Sequence, residues 1–409
     1  MKQFFTSNKG FTLVEMVVVC LLFTVVLGIT SDAFNRIVSK TLSLNRGAES
    51  NIRGVVGLEL LRSDLQAAGY GLFWRFPEGA TVTYQEATAA PGTDTVLNAY
   101  SGVPNSVPKA IGSVNNISSA SPNVVLAGTD VIAIRGQTVA ANAASKCWSY
   151  VESQVLPTVK PNPVPHAWQS EQLQPEHKVI MLSGIVNMSP ENRLIVHPVT
   201  GVWNMRFDKY SSIGKPPIYN DVEKKSDAYV IYGVSDDAGL ASLRMPFNRA
   251  DYYVRRPDSS ESSWMRLPER CNPATGLLVK GIVSQSNGSY TEFPVLDCVL
   301  DLQAVYSVQN PPGSGTLTDV SDISALTPQE IRDQVKEIKV YLLTHDGARD
   351  KSYRYPNATI GVGPGDGLTS GSGSTYDFAA RAVPDWQNYR WRVYQIVARP
   401  SNLAGTASQ

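Results

Sequence analysis

The chain has 409 residues, enough to bury one large core or two moderate ones. Its 36 basic and 36 acidic residues cancel, so no basic stripe suggests nucleic-acid binding and no acidic tail suggests a solvating function. Only 18% of the residues are charged, Gly and Pro are plentiful, and Tyr outnumbers Phe. This composition favours a loop-rich extracytoplasmic β domain over a cytosolic enzyme.

The first element is an apolar run over residues 11–30, long enough for an α-helix to cross about 30 Å of hydrocarbon. Lys2 and Lys9 precede it and place the short N-terminus in the cytoplasm. Glu15 lies inside the run, where a carboxylate costs roughly 2.5 kcal/mol or more. Two simpler interpretations are a cleaved secretory signal and an ordinary anchor. "VVLGITSDAF" fits a signal cleavage site poorly, and an ordinary anchor gives no reason for Glu15.

The helical pattern continues beyond residue 30, and no proline occurs before Pro77. We predict one helix from Phe11 to Ala68, about 85 Å long and ended by Gly69. Its first half, 11–30, is the transmembrane part, and its second half, 31–68, is amphipathic. The apolar residues at helical spacing in the second half are Phe34, Ile37, Val38, Leu42, Ile52, Val55, Val56, Leu60, Leu61 and Leu65. Gly47, Gly54 and Gly57 each weaken this helix by about 1 kcal/mol against Ala.

The string "GFTLVE" at Gly10–Glu15, after a short basic leader, resembles the class III signal of type IV pilins and type II secretion pseudopilins. The resemblance implies that residues 1–10 are a leader, that a prepilin peptidase cuts after Gly10, and that the new amino group of Phe11 is methylated. It also gives Glu15 a role in assembly and register, because the carboxylate can meet the Phe11 ammonium of a neighbouring subunit. The implied partners are the peptidase, other minor and major pilins and the inner-membrane assembly platform, with no nucleic acid.

A second string, "LELLRSDLQAAGYGLFW" at 58–74, is similar to the end of the long helix in PilW-type minor pilins, with an Asp-Leu-x-x-Ala-Gly-Tyr pattern. The region 295–403 matches that pattern loosely. Against the major pilins, the chain lacks a proline near Asp32, has no Cys after Cys298, and is bulkier. The resemblance therefore implies a low-copy minor pilin that takes part in pilus initiation at or near the tip. The alternative is a minor pseudopilin of a type II secretion system.

Residues 69–403 are expected to form a periplasmic β-rich domain, followed by a tail at 404–409. Residues 76–123 suggest an irregular excursion, and 137–250 suggest insertions or extra strands. A short helix is predicted at 327–334 with Thr327 as its N-cap. Strands are predicted at 128–136, 178–182, 193–199, 227–234, 250–256, 276–283, 299–308, 335–346 and 389–400. The expected fold class is α+β: a long N-terminal helix, its first half transmembrane, packed on one antiparallel sheet with large loops.

Three cysteines lie outside the anchor, so they cannot all pair with one another. Cys271 and Cys298 are the preferred disulfide because they are close in sequence, and this leaves Cys147 unexplained.

Catalytic and metal signals are weak. Four histidines stand singly, as scattered surface or strand residues, and no nucleophile elbow or phosphate loop occurs. The loop 361–375 is best explained as a flexible surface loop, with calcium at Asp366 and Asp377 as the alternative. We therefore expect no cofactor, no metal and no enzyme activity; an anchored periplasmic enzyme is the rival class.

Overall fold

The structure is a computed structural model. It describes residues 13–14, 16–18, 20–24, 26–27, 30, 54–79, 81–88, 94–117, 125–152, 173–186, 189–196, 201–207, 228–256, 265–364 and 374–403. The chain divides into two units, Met1–Ile52 and Arg53–Gln409.

In the first unit, the described residues between 13 and 30 are α-helical and exposed. Most are apolar. The hydroxyl of Thr24 donates to the Cys20 carbonyl at 2.7 Å, and that of Thr30 to the Val26 carbonyl at 2.5 Å. Both threonines therefore satisfy their hydrogen-bonding groups within the helix, which suits apolar surroundings.

No helix among the described residues meets the combined length and hydropathy needed to cross a bilayer. Residues 31–53 lie outside the described ranges, so a single helix from Phe11 to Ala68 stays a prediction.

The second unit contains three α-helices in its described part: α1 at residues 54–66, and two shorter ones. The shorter helices are α2 (Asp94–Leu97) and α3 (Pro328–Gln334). The strands are β1 (Ile111–Val114), β2 (Val131–Gly136), β3 (Trp148–Glu152), β4 (Lys178–Val186), β5 (Ser189–Leu194), β6 (Met205–Arg206), β7 (Ala228–Ser235), β8 (Asn248–Arg255), β9 (Gly276–Val283), β10 (Tyr290–Val308), β11 (Thr318–Val320), β12 (Val335–Asp346), β13 (Thr359–Val362), β14 (Ser374–Asp377) and β15 (Arg390–Ala398).

The largest sheet is antiparallel and has eight strands in the order β1-β2-β8-β9-β10-β12-β15, with β11 paired to β10. A second antiparallel sheet of five strands has the order β3-β7-β4-β5, with β6 paired to β4. The sequence predicts one sheet elaborated by further strands, whereas the chain between 148 and 235 builds a separate sheet. Strands β13 and β14 form a small hairpin.

One core is shared by α1 and both large sheets. It contains Leu61 and Leu65 of α1, Leu302 of β10 and Ile180 of β4, all fully or almost fully buried. Alternate residues of the large sheet face away from this core and are covered on their own side. Over β10, β12 and β15 the cover is an aromatic cluster in which the rings of Phe378 and Trp386 stack at 5.3 Å. Both faces are thus covered over much of the large sheet, and strands such as β9 carry apolar residues on both faces.

Several predicted elements are confirmed. Strands β9 and β12 have the predicted bounds, and α3 begins after Thr327, whose side chain accepts from the Glu330 N–H in a capping box. The segment predicted at 193–199 is different. Only its first two residues belong to a strand, the end of β5, and 197–199 lie outside the described residues.

Candidate assembly site

The processing and assembly residues predicted from the sequence, Gly10, Phe11 and Glu15, lie outside the described residues. The structure describes two parts of the predicted assembly helix: the exposed apolar segment between 13 and 30, and α1 on the globular domain. Two features of α1 define the candidate site, namely its contacts with the sheet and its exposed side chains.

Glycines let α1 approach β10 closely. A Cβ added at Gly57 would lie 2.2 Å from the backbone carbonyl oxygen of Val295, a distance that no real Cβ contact shows. At Gly54 it would lie 3.1 Å from the end of the Leu296 side chain. Both glycines were expected to weaken the helix. Because glycine has no Cβ, the helix backbone can contact the strand directly at these positions. This close contact explains why glycine, a poor helix former, occurs here.

The buried face of α1 also carries a charge. Asp64 is 6% exposed, and its Oδ2 lies 2.5 Å from the Lys280 Nζ of β9. The Tyr252 hydroxyl of β8 donates to the same oxygen at 2.7 Å. Burial raises the pKa of the Asp64 carboxyl, against the lowering effect of Lys280. Burial and the Asp64 carboxylate raise the pKa of Tyr252 well above its usual value, so its hydroxyl remains a donor.

The sequence contains a signal for this contact. Lys280 stands inside an otherwise apolar strand, "GLLVKGIV", and such a lysine needs an acidic partner once the strand is buried on both faces. Asp64 lies at helical spacing from the buried Leu61 and Leu65, so it was on the correct face to supply that partner.

Three apolar side chains expected in the packed stripe of α1 lie on its exposed face instead. Val55 is 62% exposed, Val56 is 67% exposed and Leu60 is 41% exposed. Gly54, Gly57 and Asp64 occupy positions on the buried face in their place. These three side chains, the α1 patch, form an apolar surface on the helix that carries the resemblance to an assembly helix.

The end of α1 is fixed by backbone contacts to the large sheet. The helix ends at residue 66 rather than at the predicted Ala68, and Gly69, with a φ of +82°, lies in the turn that follows. Its N–H donates to the Arg135 carbonyl of the sheet at 2.9 Å and not to a carbonyl of the helix. The Tyr70 carbonyl accepts from the Gln137 N–H at 2.9 Å, and the Tyr70 ring packs edge-on against Tyr232. The residues of the Asp-Leu-x-x-Ala-Gly-Tyr string thus hold the end of α1 and the turn after it against the sheet.

A buried ionic cluster ties the 76–123 excursion to the sheet. Glu86 Oε2 accepts hydrogen bonds from Arg135 and Arg249, each at 2.7 Å. Arg249 also forms a bidentate salt bridge with the carboxylate of Asp251. All four side chains are at most 2% exposed. Their charges cancel, as a buried group of this kind requires. In its described residues the excursion is irregular apart from β1 and α2, and this cluster anchors it to the sheet.

Cys271 and Cys298 are joined in a disulfide with their Cα atoms 4.9 Å apart. Cys298 lies in β10 at an irregularity in the β9–β10 pairing and has a positive φ of +58°. Cys147 is buried and takes no part in this bond, and Cys20 is exposed in the N-terminal helical segment.

The two described histidines are both buried: His345 lies in a strand, as the sequence allowed, and His177 lies outside the strands. His345 in β12 accepts from the Asn272 N–H at 2.9 Å, next to the disulfide, and burial lowers its pKa to about 4. His177 accepts from the Gln174 N–H, and burial lowers its pKa as well.

Within the described ranges, no three acidic, His or Cys side chains group as a metal site would require. Asp377 caps the backbone N–H groups of Ala379 and Ala380, and Asp366 lies outside the described residues.

Comparison with known proteins identifies the N-terminal segment. The family model described as "Prokaryotic N-terminal methylation motif" matches residues 6–31. The chain thus carries a prepilin-type methylation motif. No curated protein matches the chain. Among solved structures, a type IV-like pilin from Thermus thermophilus is similar at 14% identity and a TM-score of 0.20, covering 39% of this chain and 66% of that protein.

Proposed function

We propose that this protein is a type IV pilin-like subunit that assembles through its N-terminal helix, as a PilW-type minor pilin at or near the filament tip. The observation that carries the proposal is the methylation motif at residues 6–31, which includes "GFTLVE" and runs into an apolar helical segment. A processed N-terminus that retains its apolar helix is suited to anchoring in a membrane first and to bundling with other helices later.

In this proposal the prepilin peptidase removes residues 1–10, and Gly10 offers no side chain to obstruct the cut. Phe11 becomes the methylated N-terminus. Before assembly, the protein is a single-pass inner-membrane protein with its globular domain in the periplasm. The mature protein then enters the surface filament.

Glu15 sets the register when a subunit joins the filament. Inside a bundle of apolar helices, its carboxylate pairs with the Phe11 ammonium of a neighbouring subunit. Such a pair offsets much of the desolvation of both groups, whereas a subunit that docks out of register leaves two buried charges unpaired. The exposed α1 patch of Val55, Val56 and Leu60 supplies a further apolar surface for helix contacts.

The other member of the same structural class is a minor pseudopilin of a type II secretion system. The Asp64-Leu65-x-x-Ala68-Gly69-Tyr70 string favours the pilus assignment, because it resembles the PilW-type pattern. The genes that lie beside this one distinguish the two, since either other minor pilins or secretion components are expected there.

Mass spectrometry of the mature protein tests the proposal. We expect the wild-type N-terminus to be methylated Phe11, and we expect Gly10→Val to remain uncut in the membrane. Gly28→Val is the matched control, because it makes the same change within the apolar run and should be cut normally. A mature N-terminus after residue 30 would instead identify a secretory signal and refute the proposal.

A further inference from the structure

Strand β15 forms one edge of the large sheet. It pairs with β12 in an uninterrupted register from Ile338↔Ala398 to Asp346↔Arg390, and no other described strand pairs with it. In an antiparallel ladder, every second residue of an edge strand turns both its N–H and its C=O away from its partner. About four of the nine residues of β15 therefore present backbone donors and acceptors outward.

The centre of this edge lacks the usual protection. Residues 393–398 read "VYQIVA": six residues with no charge and no proline, rich in β-branched and aromatic side chains. Val393, Tyr394 and Val397 are half-buried, so part of each side chain is exposed to solvent. Native edge strands are normally blunted by charges, prolines or bulges. An exposed edge of this type is a template to which an extended segment can add as a further strand.

Arginines stand at both ends of the edge. Arg390 and Arg392 begin the strand and Arg399 follows it, while no acidic residue occurs between 386 and 409. Arg399 is paired with Glu337 of β12, but its side chain is 82% exposed against 14% for the glutamate. Arg390 is 50% exposed and its partner Asp350 is 31% exposed. Arg392 is paired with Asp346 and the two are about equally exposed, at 35% and 33%. A chain approaching the edge at Arg390 or Arg399 therefore meets a guanidinium group before a carboxylate.

We propose that the open edge of β15 is a strand-addition site for an extended segment of a different polypeptide. The segment is uncharged over about six residues, alternates β-branched side chains, and is acidic at its ends. Its backbone satisfies the outward groups of β15, and its half-buried side chains cover Val393, Tyr394 and Val397. Its acidic ends lie beside Arg390 and Arg399, which fixes direction and register.

A second copy of this chain fits the edge less well. Two β15 strands placed antiparallel would bring three arginines from each copy to one strand pair, with no carboxylate from either strand. Like charges across paired strands are destabilising. The charge pattern therefore favours a partner of opposite charge over self-association.

The test uses the full chain in detergent micelles and the probe peptide Asp-Glu-Val-Thr-Val-Thr-Val-Thr-Glu-Asp. Fluorescence anisotropy measures the affinity, and hydrogen exchange reports the amides of residues 393–398. Because alternate amides already bond β12, we expect the outward-facing amides among them to become protected by the peptide. We also expect a peptide with Lys in place of the four acids to bind at least about tenfold more weakly.

Two variants make the test specific. Val397→Lys places a charge on the edge and should weaken binding by about tenfold or more, whereas Val202→Lys, at an exposed valine elsewhere, should not. The double variant Arg390→Glu/Arg399→Glu should prefer the Lys-flanked peptide. The proposal is wrong if the outward-facing amides of residues 393–398 stay unprotected at saturating peptide. It is also wrong if they become protected with rising protein concentration alone, which would make a second copy the occupant.

Discussion

The Asp64 carboxylate on helix α1 lies 2.5 Å from the Lys280 ammonium on strand β9, and both side chains are less than a tenth exposed. The Tyr252 hydroxyl completes the contact from the neighbouring strand. A helix held only by apolar contacts can slide along a sheet with little change in buried area. A buried charge pair opposes that motion, since a shift of one turn would separate the charges. This contact therefore fixes the position of α1 on the globular domain.

Asp64→Ala should destabilise the second unit by about 3–5 kcal/mol, because it leaves Lys280 charged, buried and without its carboxylate. The free energy of unfolding from urea titration measures the effect. Glu59→Ala is the matched control on the same helix. Glu59 makes an exposed contact with Arg62 at 3.6 Å, so its removal should cost no more than about 0.5 kcal/mol.

The double variant Asp64→Leu/Lys280→Met separates pairing from simple burial. It removes both charges and should recover most of the stability lost in Asp64→Ala, since apolar replacements of buried pairs are often neutral. Equal losses in the single and double variants would show that the pair is not what stabilises this contact.

Gly57→Ala is expected to destabilise the protein although alanine is the better helix former. Helix propensity alone predicts a gain of about 1 kcal/mol. The added methyl group would lie 2.2 Å from the Val295 carbonyl oxygen, so α1 must move away from β10. We expect a net loss of about 1–3 kcal/mol, as for other overpacked positions.

Gly54→Ala is the comparison for this effect. Its added methyl group would meet only the end of the Leu296 side chain at 3.1 Å, which can rotate away. The change should be near neutral or slightly stabilising in thermal unfolding. If Gly57→Ala were equally well tolerated, the close approach of helix and strand would not limit the packing of α1.

The sequence predicted the elements whose residues follow one clear pattern. Strands β9 and β12 are apolar runs bounded by turn signals or by the end of α3, and α3 has a proline after a Thr N-cap; all three have the predicted bounds. The short strands β1, β6 and β11 were missed. Each has at most four residues and depends on pairing with a longer neighbour, which local pattern does not report.

The candidate site shows the same limit. Apolar spacing correctly placed Leu61 and Leu65 in the core, but it also assigned Val55, Val56 and Leu60 to the packed stripe. Gly54, Gly57 and Asp64 lie on the buried face instead. The strand approaches too closely for larger groups at the two glycines, and Asp64 pairs with Lys280 of β9. Such choices depend on the opposing surface. A single sequence read element by element cannot supply that surface.

Asp130 is expected to make the domain less stable as the pH rises from about 4 to about 7. Its carboxyl accepts the N–H groups of Asn116 at 2.8 Å and Ala304 at 2.7 Å. Burial nevertheless raises its pKa to about 7, with Asp301 and Asp322 adding to the effect. The unfolded chain releases this proton near pH 4, while the folded chain retains it. The contribution of the protonated Asp130 carboxyl to the free energy of unfolding is therefore fully present below pH 4. It declines by up to about 1.4 kcal/mol per pH unit between pH 4 and pH 7.

Comparing Asp130→Asn with wild type in urea titrations at pH 5 and pH 8 checks this. The variant cannot ionise, so its stability relative to wild type should be higher at pH 8 than at pH 5. Asp350→Asn is the control. The pKa of Asp350 is lowered to about 2 by hydrogen bonds from Ser352 and Arg390, so it is ionised at both pH values. A constant difference between Asp130→Asn and wild type would show that Asp130 does not titrate in this range.

The last prediction separates assembly from membrane insertion through Glu15. Glu15→Val removes a charge from the apolar run, so insertion should be unaffected or slightly improved. Cleavage depends on Gly10 and should proceed. The contact with a neighbour's Phe11 ammonium should be lost, at a cost of about 3–5 kcal/mol by analogy with half-removed buried pairs. In a strain that lacks other priming subunits, we therefore expect normal amounts of cleaved protein in the inner membrane and fewer surface filaments.

Glu78→Val, at an exposed position in the globular domain, is the matched control and should leave the filament count unchanged. Equal filament counts for wild type and Glu15→Val, at equal abundance and cleavage, would show that Glu15 does not set the register of this subunit.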